Sequence, residues 1–317
     1  MTGGARSLAA ALIAAAIVAC SRAEEPSGPA ALARLDHDYL PEASGMTVSG
    51  FDPRRLWFIN DSGNAPELIA FDLDTQAHRR VEVDGIKNRD WEDLAAFPYR
   101  GEPWLAIGDI GDNDGKRGHI RVYLLPEPKS AEVGSVEVHS TIRLDYPDKA
   151  RDAESMAVDA LTQTLYILSK REKYPRLYRV ALPALEPGSE HELVLSRLGK
   201  LRSIPAPGDD EKKRFKYGEN RAQPTSMTFL QEQRQIAVLT YGGAYIAALA
   251  DDNDWYRALN ERLCALPTPE LSQGETIAAD AEGRIYVSSE GKRAPVYQLN
   301  TAICTAPDAL SRDEDDR

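Results

Sequence analysis

The chain is poor in the residues that most enzyme signatures need. Its five histidines (His37, His78, His119, His139, His191) are scattered, which argues against a zinc site built on closely spaced imidazoles. No His-Glu-x-x-His, Gly-x-Ser-x-Gly or phosphate-loop sequence occurs. Asp112-Asn113-Asp114-Gly115 matches only part of a calcium loop, because aligning Gly115 on the loop glycine puts Ile110 and Arg121 at the first and last ligand positions. Basic residues are in deficit, 38 Lys and Arg against 50 Asp and Glu, and the net charge of -12 argues against a nucleic-acid partner. Stretches of helical period are few. The apolar run Leu8 to Ala19 is too short to span a membrane.

That run follows Arg6 and ends in Ile17-Val18-Ala19-Cys20, so residues 1–19 read as a secretory signal. A cysteine at the cleavage point resembles the bacterial lipobox. The resemblance implies lipidation of Cys20 and anchoring in the cell envelope, at the outer membrane where the cell has one, with Ser21 giving no inner-membrane retention signal. Residues 20–30 are a polar, proline-containing tether, 31–305 a folded domain, and 306–317 an acidic, disordered tail. With Cys20 lipidated, Cys264 and Cys304 either pair in the oxidising compartment or remain two separate buried thiols.

The domain consists of short alternating runs separated by turn residues, which predicts an all-β fold. Five similar segments open apolar strands: Ser44-Gly45-Met46, Glu92-Asp93-Leu94, Glu154-Ser155-Met156, Ser226-Met227-Thr228 and Glu275-Thr276-Ile277. One such segment per repeat predicts a five-bladed β-propeller with four-stranded antiparallel blades. Val136 to Leu144 and Glu192 to Leu201 read as the outer strands of blades two and three. The fifth repeat lacks its outer strand, and Ala31 to Tyr39 is free to supply it, which removes an exposed edge. The two longer intervals hold insertions, one at Gly208 to Arg221, and Asp251 to Asn260 has the pattern of a short helix. Trp57, Trp91 and Trp104 fall at strand positions suited to inter-blade packing.

Ser44, Glu92, Glu154, Ser226 and Glu275 then converge on the central channel. Three carboxylates and two hydroxyls at one axis repel unless a cation lies between them, and hard oxygen ligands point to one Ca2+ ion. Asp61 and Asp109 each lie 17 residues past their anchors (61 minus 44, 109 minus 92) and are expected at the same mouth. Asp61 and Asp109 are the catalytic candidates. Asn60, Asp112, Lys170, Arg171, Tyr241 and Glu290 are the ligand-binding ones. The alternative for Asn60-Asp61-Ser62-Gly63 and Asp109 to Asp112 is turn capping by their own side chains.

The Ser-Gly, Glu-Asp-Leu-Ala, Ala-Glu-Ser-Met, Ser-Met and Gly-Glu-Thr-Ile series resembles the calcium-centred five-bladed propellers, which include apyrase-type calcium-activated nucleotidases and SdiA-regulated-like proteins. Leu56 to Gly63, Asp90 to Asp93, Gly108 to Asn113, Asp152 to Glu154 and Ser289 to Gly291 resemble a branch of secreted bacterial propellers without an assigned reaction. The resemblance spans about residues 40 to 299. Asp61 matches the nucleotidase acidic position, but the accompanying arginine has no counterpart. The first expectation is therefore a monomeric, calcium-binding envelope lipoprotein that binds a small anionic ligand or an envelope protein. The second is a calcium-dependent phosphoester hydrolase, nucleotidase- or phytase-like. The third is a lactonase or esterase, whose Glu/Asn/Asp metal set this chain does not reproduce.

Overall fold

The computed structural model describes Met1 and residues 30–215, 217–261 and 263–305. Residues 2–29, with Cys20 and most of the expected signal and tether, and the expected tail 306–317 lie outside the described residues. Five sheets form the blades of a five-bladed β-propeller. The innermost strands are Ala43–Val48, Trp91–Tyr99, Ala153–Asp159, Pro224–Leu230 and Gly274–Ala279. Each pairs antiparallel with the next strand of its blade.

The N-terminal strand closes the last blade. Ala33 pairs with Val296 and Arg34 with Pro295, and Leu32 and Leu35 extend the bonding on either side. The strand Pro295–Leu299 is thereby covered along part of its outer edge.

Alternation along each strand sends side chains to two different neighbours. In Arg55–Asn60, Leu56 and Phe58 pack with Ala278 and Tyr286 of blade five, whereas Trp57 and Ile59 pack with Leu94 and Leu105 of blade two. The same rule yields one hydrophobic cluster per blade interface. All three tryptophans named above are buried in these clusters, each stabilising by roughly the 1.5–3 kcal/mol of a buried large side chain.

Two expected outer strands are divided. Ser135–Glu137 joins blade one in parallel, and only Ser140–Asp145 serves blade two. Likewise Ser189–Val194 adds to blade two in parallel, and Ser196–Lys200 completes blade three. Each connection thus straps one blade to the preceding one. The Gly208 to Arg221 insertion includes a short helix at Asp209–Arg214, and a second helix covers Trp255–Glu261. Cys264, on the outer strand of blade four, is disulfide-bonded to Cys304 in the helix Ala302–Thr305, with Cα atoms 5.7 Å apart. Among the described residues no helix is long and apolar enough to cross a membrane.

Candidate metal centre at the channel mouth

Every innermost strand opens with a β-bulge. Pairing skips Ser44, Glu92, Glu154, Thr225 and Glu275, one residue per blade. A bulge leaves its extra residue unpaired and re-aims its side chain. The five are all buried. Ser44 Oγ donates to the Trp91 carbonyl (2.8 Å) and Thr225 Oγ1 donates to the Gly274 carbonyl (2.7 Å), the equivalent position one blade on. This matched pair of bonds identifies Thr225 as the fourth anchor.

Ser226 is therefore corrected. It lies one register step deeper, level with Gly45, Asp93, Ser155 and Thr276, and its hydroxyl donates to Asp93 Oδ1 (3.0 Å). Asp93 is fully buried. Its Oδ2 also accepts the N–H groups of Met156 (2.8 Å) and Met227 (3.3 Å), so it seals the axis beneath the mouth. Blade one contributes glycine at this level because a Cβ on Gly45 would stand 2.6 Å from the Leu94 nitrogen.

Above this floor lies a cavity of about 190 Å³. Ser44, Asp61, Glu92, Glu154, Lys170, Arg171, Tyr241, Glu275 and Glu290 all line it, together with Glu42, Asn113 and Gln273. Asp61, Lys170, Tyr241 and Glu290 occupy equivalent places. Each follows the second strand of its blade and donates its N–H to the residue two before the anchor: Glu42, Asp152, Gln223 and Gln273.

Three other candidates do not reach the mouth. Asp109 pairs with Trp91 as Asn60 pairs with Ala43, so it is level with Asn60 rather than with Asp61. Its buried carboxylate lies 2.7 Å from Arg117 Nη2. Asn60 turns away, donating to the Tyr39 carbonyl (3.0 Å) and accepting the Glu42 N–H (3.3 Å). Asp112 accepts the N–H groups of Lys116 (2.9 Å) and Arg117 (2.8 Å), the turn-capping role.

Two carboxylate groups are drawn together. Oxygens of Asp61, Asp90 and Glu92 lie within 4.8 Å of one another, and so do oxygens of Glu92, Asp152 and Glu154. These buried acidic clusters can bind a metal ion, and a donor set of carboxylate oxygens without thiolate or imidazole suits a hard cation. Asp90 and Asp152 were not among the expected ligands. Their signal is a polar residue two before every anchor: Glu42, Asp90, Asp152, Gln223 and Gln273.

The electrostatics follow from burial and crowding. Burial pushes the Glu92 carboxyl well up, and Glu154, Asp61 and Asp90 add to the effect. Burial and the neighbouring Asp61 push Asp90 up to about 6. Burial also raises Glu154 and Glu275, opposed in each case by Lys170. Lys170 loses hydration by burial, yet Glu154 and Glu275 hold its ammonium above its ordinary range.

No family model and no curated protein matches the chain. Solved structures resemble it at low identity. The major allergen Mala s 1 of Malassezia sympodialis is 10% identical, with 84% of this chain and 95% of that chain covered and a TM-score of 0.51. The PQQ-bound aldose sugar dehydrogenase of Streptomyces coelicolor is 13% identical, covering 86% and 96%, with a TM-score of 0.44. An auxiliary nutrient binding protein from Bacteroides thetaiotaomicron is 9% identical, covering 85% and 72%, also at 0.44. The likeness is one of fold alone.

Proposed function

We propose that the protein is a calcium-binding five-bladed propeller that acts as a ligand- or protein-binding module of the bacterial cell envelope. The composition of the mouth carries this reading. Carboxylates from four blades (Glu42, Asp61, Asp90, Glu92, Asp152, Glu154, Glu275, Glu290) gather at or beside one cavity, where, among the described residues, Lys170 and Arg171 are the lining cations that oppose them. Such a field attracts a hard cation and repels a bare anion, so an anionic ligand enters only by way of the metal. Binding is favoured over catalysis because the anchor hydroxyls of Ser44 and Thr225 already donate to main-chain carbonyls. Anchoring through Cys20 and a monomeric state belong to the same proposal and rest on the sequence.

A second reading, calcium-dependent phosphoester hydrolysis, draws on Asp61. It sits half-buried in one cluster with Asp90 and Glu92, a position suited to orienting a water beside a bound metal. Phosphate release from a panel of nucleotides and phosphate esters, with calcium and with chelator, separates the two. The binding module gives calcium-dependent thermal stabilisation and no release. Calcium-dependent release that disappears in Asp61→Asn establishes the hydrolase instead.

A further inference from the structure

The mouth is unequal around its axis. On one side every carboxylate is already met. Lys170 Nζ donates to Glu154 and to Tyr241 Oη (2.8 Å), and Tyr241 Oη donates to Glu275 Oε1 (2.9 Å). Gln273 Nε2 donates to the same Glu275 oxygen (2.8 Å), and Arg171 Nε stands 2.5 Å from Asp152.

On the other side Asp61 and Asp90 are met, among the described residues, only by the neutral Ser62. Among the described residues no lysine or arginine forms an ion pair with Asp61, Asp90 or Glu92, and the nearby Arg117 is engaged with Asp109. Glu92 is only 6% exposed, faces the mouth, and among the described residues makes neither a hydrogen bond nor an ion pair. A buried carboxylate without a partner is costly unless a cation meets it. The backbone also makes room at this point. A Cβ on Gly111 would stand 2.6 Å from Asp90 Oδ2 and closer still to Glu92 Oε1, so the absence of a side chain there is what lets both carboxylates in. Gly111 is held by Arg117 Nη1, which donates to its carbonyl (2.7 Å), and by its own N–H, which donates to the Asp90 carbonyl (3.2 Å).

We infer that a hard divalent cation binds off the propeller axis, between blades one and two, on Asp61, Asp90 and Glu92, while the Lys170 ammonium serves as a tethered cation for Glu154 and Glu275. This deepens the calcium reading above and rests on it. The ion takes the unmet half of the ring, and the lysine keeps the protein to one equivalent. Calcium suits three carboxylates that leave further positions to water.

Calorimetric titration of the chelator-treated full chain with Ca2+ tests this. The wild type takes up one equivalent. Asp90→Asn loses affinity by about 100-fold or more, whereas Glu275→Gln, on the lysine side, loses less than about tenfold. Gly111→Ala keeps every charge but displaces the two carboxylates, and loses about 10- to 100-fold, as when the support of a ligand is disturbed. Thermal melts establish that each variant is folded. If Asp90→Asn and Gly111→Ala bind as the wild type does, or Glu275→Gln loses as much as Asp90→Asn, the ion is axial, and the off-axis site is wrong while the calcium reading stands. A wild-type chain that takes up no Ca2+ overturns both.

Discussion

Asp93 Oδ1 lies 3.0 Å from Ser226 Oγ, joining blades two and four across the axis. The other oxygen accepts main-chain N–H groups from blades three and four. One carboxylate therefore pins three blades. Burial pushes the Asp93 carboxyl well up, against the pull of these four donors, Leu94 N–H included. Asp93→Asn turns an amide NH2 toward donors and is expected to cost about 1–3 kcal/mol. The melting temperature falls by several degrees. A variant that melts with the wild type removes the pin from the account.

Glu92 gives a prediction with two signs. Among the described residues its carboxylate has no hydrogen-bond or ion-pair partner, so Glu92→Gln removes an unmet buried charge. In chelator the variant melts no lower than the wild type. In excess calcium the wild type gains about 2.7 kcal/mol at 100 times its Kd, and the variant gains far less. Paired melts with and without calcium check this, and equal calcium gains in the two proteins contradict it.

Much of this site was legible in the sequence, and the parts that were not share a cause. The anchors Ser44, Glu92, Glu154 and Glu275 stand out because each is a polar residue at the head of an apolar strand. Thr225 and Ser226 are adjacent hydroxyls, and only the ladder separates them, with Pro224 opposite Thr240 and Ser226 opposite Leu239. Composition does not reveal a one-residue bulge. Met46, Met156 and Met227 do share one register, and that alignment puts Thr225 level with Glu154. Asp109 fails for the related reason that equal spacing ignores unequal hairpins. The parallel strap strands escape because the segments around Val136 and Glu192 look alike whichever blade they join.

Lys170 and Glu154 form a buried pair, their side chains 6% and 9% exposed. Lys170→Met leaves Glu154 without its cation, and breaking a buried pair costs about 3–5 kcal/mol. Calcium should restore part of this, because the vacated space lies against Glu154 and Glu275. The calcium-induced rise in melting temperature is therefore larger in the variant than in the wild type. A Lys170→Met protein with wild-type stability in chelator is the result that contradicts this.

The disulfide ties blade four to the helix Ala302–Thr305 that follows blade five. Cys264 and Cys304 are 40 residues apart, and closing a loop of that length stabilises by about 4 kcal/mol in the chain-entropy account. Reduction, or the paired change Cys264→Ala with Cys304→Ala, lowers the urea midpoint accordingly. No shift on reduction, with free thiols verified, rules out a stabilising bridge.

His78 makes ring closure sensitive to acid. It is buried between Tyr39 (5.0 Å between ring centres) and Phe71 (4.8 Å), and its Nε2 accepts the Asp36 N–H (3.3 Å). Asp36 and Tyr39 belong to the N-terminal segment that follows the closing strand. Accepting that bond requires a neutral ring with Nε2 unprotonated. Burial holds the imidazole below its ordinary 6.5, and the Asp36 carboxylate offsets this only in part. The unfolded chain therefore binds the proton first as the pH falls, so this contribution is complete above about 6.5 and is lost progressively below it. Charging the ring also breaks the bond to Asp36 and loosens the closing segment. His78→Gln removes the titration. The difference in melting temperature between wild type and variant, followed from pH 7.5 to pH 5 (a range of about 2.5 units chosen to bracket the ordinary histidine value), narrows on acidification. A difference that stays constant across that range contradicts this role for His78.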